Sequence, residues 1–472
     1  MERIYLTTTL PYVNSDPHIG FAAEIVRADI IARFHRQAGR EVFLNTGTDE
    51  HGQKIYQNAV AAGITPQAYV DGYAEKFREL KEILGLIEDI NFIRTTDAGH
   101  VAAAEEFWRL CDRNGYIYKK QYQVKYCVGC ELEKTDSELE DGRCPIHPNR
   151  ELELIDEENY FFKFSAFQEG LLKLYADRPD FVVPSFRFNE IKAFVSRGLE
   201  DFSISRLASK MPWGVPVPGD ESQVMYVWFD ALVNYISAIG WPGDMAKFEA
   251  WWPVTQFAGK DNLRQQSAMW QAMLMAAGFP PSKQIVINGF IISGGQKMSK
   301  SLGNVINPLD VIEEYGTEAL RYYLASLNPF EDSDVTLERI KEVYNGRLAN
   351  GIGNLVSRIM KLAATHLEAP VEAQDSKPAS SWADSLAAFE VHRALEQVDA
   401  AVGELDLRIQ ETRPFSVIKE RPAEGKELIA ALVRDLYAVA AMLAPFMPST
   451  SEKIKGLIQE NKMPEEPLFL RK

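Results

Sequence analysis

The N-terminal stretch constrains the fold more than any other, because it reads as one strand–helix–strand unit. Arg3 to Thr9 is rich in β-branched and aromatic residues and reads as a buried strand. Leu10-Pro11-Tyr12-Val13-Asn14-Ser15-Asp16-Pro17 follows as a loop with two prolines. A helix is predicted from His18 to about Arg36. Phe21, Ile25, Ala28 and Ala32 recur at helical spacing, as do Ala22, Val26 and Ile30, and Gly39 is a natural stop. Val42-Phe43-Leu44 supplies the next strand. Two strands joined in this way run parallel through a right-handed crossover. The expected fold class is therefore α/β, with a parallel sheet.

The N-terminus of that helix points backbone N–H groups and positive dipole outward, which suits phosphate. His18 can donate to a phosphate oxygen, and Gly20 keeps no side chain in the way of a nucleotide. Alone, Pro17-His18-Ile19-Gly20-Phe21 is better read as a capped helix after a Pro-rich turn, with His18 as a solvated cap. No Gly-x-Gly-x-x-Gly fingerprint or Walker loop is present, which argues against ordinary dinucleotide and P-loop sites. A distant segment changes the balance. Ile285-Val286-Ile287 reads as a strand, and Asn288 to Gln296, with Gly289, Gly294 and Gly295, reads as a hinge-like loop. Lys297-Met298-Ser299-Lys300-Ser301 follows. Lysines three apart on a moving loop can close on a triphosphate and neutralise charge as pyrophosphate leaves. A solvated basic loop is the plain alternative.

Cys127-x-x-Cys130 and Cys144-x-x-His147, separated by 13 residues, have the spacing of a metal knuckle. Three thiolates and an imidazole suit tetrahedral Zn²⁺, structural because all four positions are filled. Gly129, Gly142 and Pro145 allow the tight turns, and Cys111, the remaining cysteine, reads as a buried, inert thiol.

The pairing of Pro17-His18-Ile19-Gly20 with Lys297-Met298-Ser299-Lys300-Ser301 resembles the signature of class I aminoacyl-tRNA synthetases. Over essentially its whole length the chain is similar to the methionyl-tRNA synthetase family. The resemblance rests on Thr8-Thr9-Leu10-Pro11-Tyr12-Val13-Asn14, Gly47-Thr48-Asp49-Glu50-His51-Gly52 and Trp213-Gly214-Val215-Pro216-Val217-Pro218. Tyr226-Val227-Trp228-Phe229-Asp230-Ala231, Gly259-Lys260-Asp261, Asn345 and Gly353-Asn354-Leu355-Val356-Ser357-Arg358 extend it.

The resemblance implies methionine–tRNA ligase activity: L-methionine and Mg²⁺-ATP give methionyl-adenylate, and the methionyl group passes to the terminal adenosine of tRNA(Met). It implies His18, Lys297 and Lys300 as catalytic groups, and ATP contacts from Pro17, His18, Gly20, Gly259, Asp261, Lys297, Ser299 and Lys300. Asp49 would hold the substrate ammonium. Leu10, Tyr12, Trp228, Ala231, Leu232, Tyr235, Asn262 and Gln266 would surround the methionine side chain. Aromatic rings suit a polarizable thioether, though a strand ending in Trp-Phe before a helix also fits plain core. The implied layout is a Rossmann-like, doubly wound parallel sheet with its catalytic first half at 1–115, a zinc-bearing connective insertion at 116–221, a catalytic second half with the lysine loop at 222–336, and an all-α anticodon-binding helix bundle at 337–472. Asn354 and Arg358, one helical turn apart, match the family's anticodon-contacting pair. Phe415 stands where the family stacks a tryptophan on the anticodon, and ordinary bundle packing is the other reading.

The departures are specific. Phe21 replaces a histidine common at the end of the first signature; Gln266 stands at a common pocket histidine, Gln265 beside it at a common aromatic, and Asn262 at an aliphatic. The far side of the pocket is therefore expected to be polar. These polar substitutions leave another amino-acid specificity open. A tRNA-independent nucleotidylyltransferase and a non-catalytic tRNA-binding paralogue are the readings from other classes. The insertion leaves no room for the large editing domain of the isoleucine, valine and leucine enzymes.

A net charge of −16 does not exclude an RNA partner, because binding needs local positive potential. Arg339, Lys341, Arg347, Arg358 and Lys361 form a candidate tRNA-facing stripe, or simply solvated helix faces. Met1-Glu2-Arg3 leads straight into a strand without a signal peptide, and Leu436 to Met447 is too short to span a bilayer. Three of the four cysteines look like metal ligands, so a reducing, cytoplasmic compartment is expected. A polar loop, Ala369 to Asp384, is expected within the helical part. Little follows the bundle, and a monomer is expected.

Overall fold

The computed structural model describes residues 2–134, 136–298, 304–373 and 380–472. The chain folds as two compact units. One comprises Met1–Pro17, Arg40–Glu79 and Glu88–Ile287, the other His18–Gly39, Leu80–Ile87 and Asn288–Lys472.

The first unit is built on a six-stranded sheet of β1 (Arg3–Thr7), β2 (Glu41–Thr48), β3 (Asn91–Arg94), β4 (Val182–Val183), β5 (Thr255–Gly259) and β6 (Gln284–Asn288). Their order across the sheet is β3-β2-β1-β5-β6-β4. β1 pairs in parallel with β2 on one side and β5 on the other. β2–β3 and β6–β4 are parallel as well. The chain runs outward from β1, then returns to β1's other flank, so the switch point of a doubly wound sheet lies between β1 and β5. Ligands bind such sheets beyond the carboxyl ends of the strands at that point. β1 and β5 are buried almost end to end, as strands covered on both faces must be. The core against the sheet is aromatic: the Phe107 and Trp270 ring centroids lie 5.7 Å apart, those of Trp108 and Phe229 5.2 Å.

Within this unit, a separate antiparallel sheet is made by Leu132–Lys134, Ile117–Cys127, Glu153–Phe162 and Phe202–Ser203, in that order. The strand Ile117–Cys127 runs directly into the first cysteine pair.

The second unit begins with the helix Ile19–Gln37, close to the predicted bounds. The helix is buried on most of its circumference, with Glu24, Arg27 and Asp29 buried among the aliphatics. Asp29 carries its charge inward because Arg321, on the helix Thr317–Ser326, meets it at 2.6 Å. The rest is helical. Val391–Thr412 buries Val391, Ala394, Leu395, Val398, Val402, Leu405 and Ile409, a stripe at three- and four-residue spacing. The apolar stretch at Leu436 closes the helix Pro422–Leu443. No helix among the described residues is long and apolar enough to cross a membrane.

Two local expectations change. The loop expected from Ala369 to Asp384 is shorter at its end, because the helix Ser380–Ala387 starts inside it and buries Trp382. Part of the stretch expected as a loop is a hairpin, Ile291–Ser293 paired with Gln296–Lys297, and Gly294 and Gly295 form its tight turn. Both have positive φ, 61° and 74°, the backbone that a two-residue hairpin requires and glycine adopts without strain.

Candidate amino-acid pocket, metal knuckle and nucleotide segments

The loop after β1 and the end of β2 run side by side. Tyr12 bridges Asp49 in parallel; Val13 N–H donates to Asp49 O at 3.1 Å and Asp49 N–H to Pro11 O at 2.9 Å. Three chemistry-bearing residues follow one another here. Glu50 is clasped by Arg94 at 2.7 and 2.8 Å, and His51 Nδ1 meets Asp230 Oδ2 at 2.9 Å. Asp49 differs from both. It is only 8% exposed, and its Oδ1 has no hydrogen-bond partner among the described residues. Burial, reinforced by the charges of Asp230 and Glu131, holds its carboxyl well above the ordinary value of 3.8. A buried carboxylate with an unsatisfied oxygen is a site for a cation.

The aromatic wall stands beside it. Tyr12 and Trp228 pack against Tyr126, Val128, Tyr226 and Val227. Trp228 Nε1 has no partner among the described residues. Trp228 and Ala231 lie on the short helix Val227–Ala231, with Leu232 next and Tyr235 on the turn beyond. Leu10, Tyr12 and Trp228 are half-buried, and Ala231, Leu232 and Tyr235 are buried. Asn262 is half-buried in the short turn after β5.

Gln266 sits in a wide π turn, Gln265–Met269, a geometry common at functional positions. Its Nε2 donates to Tyr235 Oη at 2.7 Å, and its Oε1 accepts from Gln256 Nε2 at 2.7 Å. Gln256 Oε1 accepts from Ser282 Oγ at 2.6 Å, and Ser282 Oγ accepts from Gln271 Nε2 at 3.1 Å. Gln271 Nε2 also donates to the Gln266 carbonyl at 2.8 Å. A closed, fully buried ring of amides and a hydroxyl thus backs Tyr235.

Cys127, Cys130, Cys144 and His147 converge, with their ligand atoms all within 4.8 Å of one another. Cys130 Sγ lies 3.2 Å from His147 Nδ1 and 3.5 Å from Cys144 Sγ, and none of the cysteines is in a disulfide. Each pair closes its turn by a backbone bond, Cys130 N–H to Cys127 O and His147 N–H to Cys144 O. A Cβ at Gly129 would meet the His147 ring at 2.6 Å, so the knuckle needs glycine there. Three thiols and one imidazole this close fit a single four-coordinate metal ion. Cys111 is buried elsewhere, and burial pushes its thiol far up.

Of the residues expected at ATP, Gly259 ends β5 and Asp261 is exposed in the turn that follows; Pro17 closes the loop after β1. In the second unit, His18 is the N-cap of Ile19–Gln37. Its Nδ1 accepts from Gly20 N–H at 3.1 Å, which places the proton of the neutral ring on Nε2. A Cβ at residue 20 would lie 2.9 Å from the His18 ring, so Gly20 permits the cap itself. The adjoining Ile19 N–H donates to Ile306 O at 3.2 Å. Lys297 ends the hairpin; Ser299 and Lys300 lie outside the described residues. Asn354 is exposed at the start of Asn354–His366, Arg358 pairs with Asp406, and Phe415 is 47% exposed.

Sequence reasoning missed Glu131, Gln256, Gln271 and Ser282. No motif spacing marks the ring, although Gln266 itself was a visible departure. Glu131 was passed over as knuckle spacer.

A family model described as tRNA synthetases class I (M) matches residues 4–152 and 133–360. Together with the switch-point sheet, it defines a class I aminoacyl-tRNA synthetase. The methionine–tRNA ligase of Thermosynechococcus vestitus is 40% identical, over 96% of this chain and 89% of its own length. That of Thermotoga maritima is 39% identical, over 96% and 74%. The solved Mycobacterium tuberculosis methionyl-tRNA synthetase in complex with methionyl-adenylate superposes with a TM-score of 0.92 at 32% identity, covering 100% of both chains. The chain belongs to the methionine–tRNA ligase family.

Proposed function

We propose that the chain activates L-methionine with Mg²⁺-ATP and transfers the methionyl group to the terminal adenosine of tRNA(Met). The observation that carries this reading is Asp49, buried beside Tyr12 with Oδ1 unpartnered while Glu50 and His51 are fully engaged. Asp49 holds the ammonium, and Leu10, Tyr12, Trp228, Ala231, Leu232 and Tyr235, with Asn262 and Gln266, enclose the thioether. The methionine carboxylate attacks the α-phosphorus, the bond to the β-phosphate oxygen breaks, and pyrophosphate leaves. His18 donates from Nε2 to a phosphate oxygen at the helix N-terminus, and Lys297 and Lys300 neutralise the leaving pyrophosphate. Pro17, Gly20, Gly259, Asp261 and Ser299 complete the ATP contacts. No covalent enzyme intermediate is needed; orientation and charge stabilisation carry the rate.

Cys127, Cys130, Cys144 and His147 take one structural Zn²⁺, which supplies a cross-link and no chemistry. Asn354, Arg358 and Phe415 read the anticodon on a helical domain at 337–472, downstream of catalytic halves at 1–115 and 222–336 and an insertion at 116–221. The protein works as a cytoplasmic monomer.

The test is amino-acid-dependent ATP–pyrophosphate exchange on the zinc-replete protein, against all the standard amino acids without tRNA. Exchange with methionine alone is expected, with Lys300→Ala reducing it by orders of magnitude while the fold is kept. Exchange with another amino acid, or none, overturns the assignment.

A further inference from the structure

Glu131 directly follows the metal-ligand position Cys130, yet its side chain turns toward the amino-acid pocket. Its backbone φ is +50°, a left-handed conformation that a glutamate adopts only when its surroundings hold it there. Those surroundings are specific. Glu131 Oε1 accepts from Tyr12 Oη at 3.0 Å and from Lys54 N–H at 2.8 Å. Its Oε2 accepts from Tyr126 Oη, and its backbone carbonyl accepts from Tyr226 Oη. The Arg206 guanidinium covers the Tyr126 and Tyr226 rings at 5.0 and 4.7 Å. Glu131 is 5% exposed, so these bonds are made without competition from water.

Three separate pieces of the pocket therefore end on one residue: the loop carrying Tyr12, the segment after Asp49 and Tyr126 on its carboxylate, and Tyr226 on its backbone carbonyl. Lys54 is the second residue of the helix Gln53–Ala62, which begins directly after Asp49-Glu50-His51-Gly52. There is no slack at this point, because a Cβ on Gly52 would lie 2.6 Å from Tyr12 Oη and 3.2 Å from Glu131 Oε1.

We propose that Glu131 is a positioning residue for the amino-acid site, holding Tyr12 and the Asp49 segment in the geometry that receives the substrate and fastening that geometry to the metal knuckle. The proposal rests on the methionine reading above. It acts on amino-acid binding and leaves nucleotide binding alone.

The test uses the full chain in methionine-dependent pyrophosphate exchange. Wild-type protein without methionine exchange would overturn the functional reading itself; with wild type active, the variants decide on Glu131. Glu131→Ala is expected to raise the methionine KM about tenfold or more while the ATP KM and the metal content stay near wild type. Glu131→Gln keeps an oxygen for Tyr12 and Lys54, so it should restore the methionine KM to within about threefold. Tyr12→Phe should match Glu131→Ala, and the double variant should be no worse than either, as for two groups acting through one bond. An unchanged methionine KM in folded Glu131→Ala overturns the proposal. So does an equal loss of ATP binding and metal. Should Glu131→Ala fail to fold, Tyr12→Phe with a wild-type methionine KM overturns it just as directly.

Discussion

Asp29 and Arg321 lie 292 positions apart in the sequence and form a fully buried ion pair at 2.6 Å in the second unit. Arg321 also donates to the carbonyls of Leu84, Pro445 and Phe446, and Asp29 accepts from Ile87 N–H and Arg33. One charge pair thus gathers the helix Ile19–Gln37, the segment after Ile83 and the turn after Leu443. Asp29→Leu alone leaves Arg321 buried without its countercharge and should destabilise by about 3–5 kcal/mol, whereas Arg321→Met leaves Asp29 paired with Arg33 and should cost less. Asp29→Leu with Arg321→Met together should unfold later than Asp29→Leu alone, measured as Tm. A double variant that melts at the sum of the single losses would count against the pairing.

Asp49 predicts a pH dependence. Burial raises its folded-state pKa above the ordinary 3.8. From 3.8 up to the raised value, the folded state keeps a proton the unfolded state has lost, so this group's contribution to stability falls as pH rises. A bound ammonium favours the ionised carboxylate and offsets that loss. Methionine should therefore raise Tm more as pH rises through this window, and bind more weakly as pH falls through it. Asp49→Asn should flatten the methionine response. Asp230, also held up by burial, would still shape the stability of the free protein.

The knuckle predicts a cysteine count. With metal bound, Cys127, Cys130 and Cys144 should resist alkylation as ligands, and Cys111 should resist it because it is buried in the aromatic core; Cys127 and Cys144 are buried as well, but in a knuckle that the metal holds closed and that loosens without it. After chelation, mass spectrometry should find the first three modified and Cys111 untouched in the folded chain. One equivalent of metal should leave with them.

Gln266→Leu removes the donor to Tyr235 and the acceptor for Gln256 inside a buried ring. It should cost about 1–3 kcal/mol of stability and raise the methionine KM. Gln266→His introduces a titratable group at a buried position, where burial lowers the imidazole below its ordinary range, so the methionine KM should acquire a dependence on pH in the acidic range that wild type lacks at this position.

Phe415→Ala should leave pyrophosphate exchange unchanged and lower tRNA aminoacylation by about 1–3 kcal/mol in kcat/KM, the worth of one lost stacking contact. Equal loss in both assays would mean that the exposed ring supports the fold instead.

What the sequence disclosed followed physical rules with a short range. β1, the helix after it and the parallel sheet are written in apolar periodicity, and the cysteine pairs in their spacing. The Gly294-Gly295 pair was visible, but whether two glycines flex or clamp depends on the strands they join. Tyr12 and Asp49 were nameable from motifs. That Asp49 keeps an orphan oxygen while Glu50 and His51 are paired depends on Arg94 and Asp230, which no local pattern connects to it. Glu131 was invisible because nothing about a glutamate announces a left-handed backbone, and three of its four partners, Tyr12, Lys54 and Tyr226, are distant in sequence.

The amide ring behind Tyr235 has one further property. Amides and hydroxyls can each donate or accept, but the two backbone groups that meet Gln271 cannot change role: the Gln266 carbonyl only accepts, from Nε2, and Ser282 N–H, 2.9 Å from Oε1, only donates. They fix Gln271, hence Ser282 Oγ, hence Gln256, hence Gln266, hence the face that Tyr235 Oη turns to its neighbour. The polarity of the substrate wall is thereby set from backbone atoms that no side-chain substitution can reverse.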